Sequence, residues 1–103
     1  VSKITRIQGV SPESDLNTAN DNADVHVYLE DGRVFSFVVG TPSNIYGCMD
    51  NEGIDHFFGI PFVFVREMTM AQIQKAMHAI FTEGKGKWVS VYGALQQSFI
   101  EDE

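Results

Sequence analysis

The run DVHVYLE-DG-RVFSFVV, residues 24–39, constrains the fold of this chain more than any other stretch. Two segments alternate apolar and polar residues, as half-buried strands do, and the dipeptide between them supplies a turn with positive backbone φ. The pattern predicts a β-hairpin. With Asp31 and Gly32 as the two turn residues, Glu30 faces Arg33, Leu29 faces Val34, Tyr28 faces Phe35, Val27 faces Ser36 and His26 faces Phe37. Val25, Val27, Leu29, Val34 and Val38 then form a core surface. His26, Tyr28, Phe35 and Phe37 form a second face that needs a cover or a partner, with the Glu30–Arg33 pair at the tip.

The elements around the hairpin follow from local signals. Ile4 to Val10 is β-branched enough for a strand, although its apolar residues recur every three positions. Residues 11–23 hold a serine–proline helix start followed by a polar, asparagine-rich run too weak to sustain a helix, and are read as a mobile loop. Thr41-Pro42 opens a short helix over 42–49 with Ile45 and Met49 on one face, ended by the turn cluster Asp50 to Gly53. Ile60 to Val65 reads as a strand buried on both faces, with Pro61 confined to its start or to an edge.

Thr69-x-x-Gln72 is a capping box, with Met68 and Ile73 where a hydrophobic staple stands. Met70, Ile73, Met77, Ile80 and Phe81 then recur at helical spacing, predicting a helix over 70–82 that Gly84 closes. Lys87 to Tyr92 alternates and reads as a last strand, and residues 94–103 read as a frayed acidic tail. Together these give a single α+β domain over residues 1–103. It has a mostly antiparallel sheet of four or five strands, the 70–82 helix on one face and the short helix with the IDHFFG segment as candidate cover for the other. The alternative is a ferredoxin-like arrangement, which requires residues 12–20 to be helical.

Charge narrows the partners. Fourteen Asp and Glu against seven Lys and Arg leave a formal charge of −7, which argues against nucleic acid and anionic membranes, both of which need clustered cations. No apolar stretch approaches the roughly 20 residues of a membrane-spanning helix. One cysteine excludes an internal disulfide, so the cytoplasm is the default compartment. The opening on Val1 leaves a removed leader undecided.

No pattern specifies chemistry. Cys48, Asp50, Glu52, Asp55 and His56 crowd one loop but lack the paired Cys or His spacing of a zinc site. Asp15 to Asn20 starts like a calcium loop but carries Ala19 and Asn20 where an oxygen ligand and a glycine belong. Cys48 has no base placed beside it by the sequence, and Gly84-Lys85-Gly86-Lys87 is not a phosphate loop. No catalytic residue, metal or cofactor is therefore assigned, and the balance leans away from an enzyme.

The remaining reading is a small acidic protein that binds another protein. It would be an immunity- or antitoxin-like inhibitor of a basic partner, or an accessory subunit that associates with itself, using His26, Tyr28, Phe35, Phe37, His56, Phe57 and Phe58. The competing reading is a small-ligand binder or enzyme with a pocket between the 48–58 loop and the 24–39 hairpin.

Overall fold

A computed structural model describes residues 3–58 and 61–101. Its elements run β1 (Ile4–Gly9), β2 (Asn22–Leu29), β3 (Val34–Gly40), α1 (Pro42–Glu52), β4 (Phe62–Phe64), α2 (Met70–Thr82) and α3 (Lys87–Glu101). The strands form one sheet in the order β1-β2-β3-β4. Its first three strands are antiparallel and β4 is parallel to β3, so the α+β architecture predicted above is the one observed. A parallel neighbour needs a crossover connection, and α1 supplies it.

The β2–β3 hairpin forms, but its register differs by one residue from the two-residue turn. Tyr28 pairs with Val34, Val27 with Phe35, His26 with Ser36 and Val25 with Phe37. The loop is Glu30-Asp31-Gly32. Gly32 N–H donates to the Leu29 carbonyl at 3.1 Å, Leu29 N–H donates to the Arg33 carbonyl at 3.0 Å, and Gly32 sits at φ 92°. This is the three-residue turn that ends in a left-handed glycine, which Asp-Gly serves as well as it serves the two-residue form. Arg33 pairs with Asp31 at 2.9 Å instead of with Glu30.

A one-residue slip turns every β3 side chain to the other face. Phe35 and Phe37 therefore join Val25, Val27, Leu29 and Val39 in the core, whereas Val34 is exposed. As candidates for an exposed interface, Phe35 and Phe37 are thus corrected to core residues. They lie under α2 and α3: Phe81 meets the two rings edge-on at 5.2 and 6.3 Å, and Tyr92 meets Phe37 at 5.0 Å. Edge-to-face contacts of this kind add about 0.5–1.5 kcal/mol each beyond the area they bury.

Helix α2 has the predicted bounds and cap. Thr69 Oγ1 accepts from Gln72 N–H at 3.3 Å, while Gln72 Oε1 reaches back to Glu67 N–H at 3.0 Å. Met68 and Ile73 are both buried, as a staple requires. The Glu13 carboxylate accepts from Met70 N–H, adding a negative group where the helix dipole favours one. Helix α1 runs three residues past its expected end. It closes on Gly53 at φ 69°, with Gly53 N–H bonded to Asp50 O at 3.3 Å and Ile54 N–H to Met49 O at 3.0 Å, the paired bonds of a Schellman end.

Two expectations change. Residues 87–92 are helical, because the chain turns through Gly84 and Gly86, both at positive φ, and then lays Val89, Tyr92 and Gly93 along one helical stripe against the sheet. Gly93 faces the Phe35 ring at a distance where even a Cβ would make an ordinary contact, 3.5 Å. The helical backbone continues through Glu101, which includes most of the segment read as a tail; residues 102 and 103 lie outside the described residues.

Within 11–23, Glu13–Asp15 forms one 3₁₀ turn, and the segment is bonded to both helix starts: Met68 N–H to Thr18 O at 2.8 Å, and Ser43 Oγ to Ala19 O at 2.8 Å. No helix among the described residues is long and apolar enough to cross a membrane.

Candidate functional site

The sheet has one covered face and one largely open face. Opposite α2 and α3 stand Arg6, Gln8, His26, Tyr28, Val34 and Ser36, the alternates of the core positions. His26 Nδ1 lies 2.8 Å from Ser36 Oγ, and the Arg6 guanidinium stacks 4.0 Å over the Tyr28 ring. His26 and Tyr28, both half-buried, are therefore engaged within the sheet surface.

Toward β4 this same face turns apolar. Val38 pairs with Phe62 and Gly40 with Phe64, so both phenylalanines project away from α2 and α3, while Val63 joins Val39 on the core side. Gly40 makes room for this: a Cβ there would come within 3.0 Å of the Phe62 ring and of the Asn22 side chain. Helix α1 begins directly after β3, with Thr41 buried and Pro42 in the first turn, and brings Ile45 and Met49 to the Phe62–Phe64 side. Its first turn is held to the start of β2 and the loop before it by Asn44, which accepts from Asn22 Nδ2 at 2.5 Å and donates to Asn20 Oδ1 at 3.1 Å.

The result is an open groove of about 530 Å³ between Ile45 and Met49 of α1, residues 55–58, the start of β4 and Tyr92 of α3. A shallower depression of about 410 Å³ continues from it past Phe64 to Pro42 and Tyr46. The aromatic walls pack on one another: Phe57 against Phe62 at 5.6 Å, Phe62 against Phe64 at 5.0 Å and His56 stacked on Phe58 at 5.9 Å. Yet Phe58 is 84% exposed, Tyr46 68%, Phe64 55% and Phe57 39%. Single exposed apolar residues are ordinary, but three large ones around one groove, with Tyr46 in the adjoining depression, form the kind of patch that marks an interaction surface.

β4 also lies at the edge of the sheet. Val38 N–H donates to Pro61 O and Val65 N–H to Gly40 O, each at 3.0 Å, so the odd-numbered residues face β3. The N–H and C=O groups of Phe62 and Phe64 point the other way, and no further strand pairs with them among the described residues. The charge around this edge is mostly negative, with the exposed Arg66 shortly after the strand as its one nearby Lys or Arg in sequence. Residues 34–65 contain no Lys or Arg, whereas Asp55 lines both depressions and Asp50 and Glu52 are exposed at the end of α1.

Of the residues singled out from the sequence, His56, Phe57 and Phe58 meet at this groove, His26 and Tyr28 lie on the open face two strands away, and Phe35 and Phe37 are core. Tyr46 of α1 lines the adjoining depression, and Phe62 and Phe64 also belong to the site, although a Phe-Val-Phe-Val run reads as a doubly buried strand. Pro61 at its start was the one signal of an edge. Within 48–58, Met49 belongs to α1 and residues 55–58 wall the groove, which β4 and Tyr92 complete in place of the hairpin. The Cys48 thiol sits 3.9 Å from Asn44 Oδ1, and His56 spends its ring on Phe58. Among the described residues, no three His, Cys, Asp or Glu side chains converge as metal ligands. The site offers apolar contact, aromatic faces, unpaired backbone groups and negative charge. No protein-family model, curated protein or solved structure matches this chain.

Proposed function

We propose that this protein acts by binding another protein through the aromatic groove between α1 and β4. The observation that carries the reading is the gathering of solvent-accessible aromatic side chains, Phe57, Phe58 and Phe64 around the groove and Tyr46 in the depression that continues from it. Large aromatic side chains that become desolvated on contact supply most of the energy of typical interfaces, and complementary charge sets how fast partners meet. Of the two forms such binding takes, inhibition of a basic protein fits better than self-association. Two copies would each bring a net charge of −7 and the same three carboxylates to one contact. The free thiol of Cys48 accords with a cytoplasmic setting.

Affinity capture from extract of the native host, with wild type beside Phe58→Ser and Val34→Ser, tests the reading. Val34 is an exposed apolar residue on the open sheet face away from the groove. A protein retained by wild type and Val34→Ser but lost with Phe58→Ser supports the groove. Equal capture by all three, or no capture by any, ends it.

A further inference from the structure

Resting on that reading, we propose that the partner binds by adding an extended strand to the free edge of β4, and that this strand carries bulky apolar side chains flanked by Lys or Arg. Three features of the structure lead there.

The first is the backbone. β4 is three residues long and pairs on one side, leaving the N–H and C=O groups of Phe62 and Phe64 directed outward. An incoming strand satisfies them with main-chain hydrogen bonds whatever its sequence, which is the mode of recognition that sheet edges offer.

The second is the shape of the groove. Tyr92 belongs to the helical layer over Phe37, whereas Ile45, Met49 and Phe64 belong to the opposite face, yet one groove is lined by all of them. A groove with walls from both layers must pass across the edge between them. Successive side chains of an added strand point to opposite faces, so one set meets Tyr92 and the alternate set meets Ile45, Met49 and Phe64. Both sides are apolar, and the matching strand is apolar on both sides.

The third is charge. Arg66 is the one Lys or Arg between residues 34 and 74, against the exposed Asp50, Glu52, Asp55 and Glu67, so a segment ending in Lys or Arg is attracted. The same carboxylates oppose a second copy of this chain pairing edge to edge. The occupant the structure favours is thus a basic strand from a different protein.

The test uses the full chain and a short synthetic peptide of alternating valine and phenylalanine flanked by lysines. Its companions are a glutamate-flanked version and two versions N-methylated at alternate residues, one along each edge. Binding is followed by fluorescence anisotropy and by amide hydrogen exchange at Phe62 and Phe64. The lysine peptide is expected to slow exchange at both amides. N-methylation along one edge weakens binding by about tenfold or more and along the other edge has little effect, and the glutamate version binds at least about tenfold more weakly.

Equal sensitivity to both N-methylated peptides, equal binding of the lysine and glutamate peptides, or no binding of the lysine peptide overturns strand addition. Slowed exchange at Phe62 and Phe64 that grows with protein concentration and without peptide identifies a second copy as the occupant and also overturns it. These failures leave the Phe58→Ser capture result standing. Loss of that result removes the groove itself.

Discussion

Phe37→Ala separates the observed hairpin register from the two-residue alternative more sharply than any other single change. Phe37 is 2% exposed and meets Phe81 at 6.3 Å and Tyr92 at 5.0 Å, so truncation leaves a cavity between β3, α2 and α3. Removing a phenylalanine from such a site costs about 3–5 kcal/mol, with the cavity and the lost ring contacts both inside that figure. A chain of this size has a total stability of roughly 5–15 kcal/mol, so the variant is expected to fold with much of its margin gone.

The assay is urea unfolding followed by far-ultraviolet circular dichroism, with the slope checked for constancy so that the midpoint shift reports stability. The control is Val34→Ala, at a position 48% exposed on the other face, where a change within about 0.5 kcal/mol is expected. In the alternative register Val34 faces the core and Phe37 faces out, so the two costs exchange places. A loss below about 1 kcal/mol at Phe37, with about 2 kcal/mol or more at Val34, refutes the register and with it the assignment of faces. Should Phe37→Ala fail to fold, Phe37→Leu keeps the comparison alive with a smaller cavity and the same ordering.

Other substitutions probe the turn, the helix cap and the link between sheet and groove. Gly32→Ala meets no atom within 4 Å, so its cost is conformational, about 1 kcal/mol or somewhat more for a side chain held at φ 92°, read as a lower urea midpoint at constant slope. Thr69→Ala removes the side-chain acceptor from Gln72 N–H and is expected to cost about 1 kcal/mol, with Thr69→Ser recovering most of it. Gly40→Ala places a Cβ 3.0 Å from both the Phe62 ring and the Asn22 side chain. It is expected to lower the melting temperature and to shift the ring resonances of Phe57, Phe62 and Phe64, whereas an unchanged spectrum would contradict the packing described.

The elements legible in the sequence are those whose signals are local. The capping box at Thr69, the staple of Met68 and Ile73 and the helical recurrence to Phe81 all lie within one helix, and α2 has the expected bounds. The two alternating runs marked β2 and β3 for the same reason. What escaped depends on a single dihedral or on distant partners. Asp31-Gly32 suits two turns that differ in loop length by one residue, and that residue decides whether Phe35 and Phe37 are buried.

Trp88 to Tyr92 alternates as a strand does, but in so short a window β-propensity yields to packing of Val89 and Tyr92 against the sheet. At the groove, residues 56–58 stood out by composition. The exposure of Phe64 follows from β4 being an edge strand, which is a property of the assembled sheet. The absence of Lys and Arg from residues 34–65, by contrast, was on view in the sequence throughout.

Contact with another protein at the α1–β4 groove can be captured covalently. It is tested most directly by site-specific photocrosslinking: purified protein carrying benzoylphenylalanine in place of Phe58, or in place of Val34, is irradiated in native extract. A discrete adduct is expected from position 58, competed away by excess unlabelled wild type, and none from position 34. No adduct at 58, or the same adduct from both positions, contradicts it.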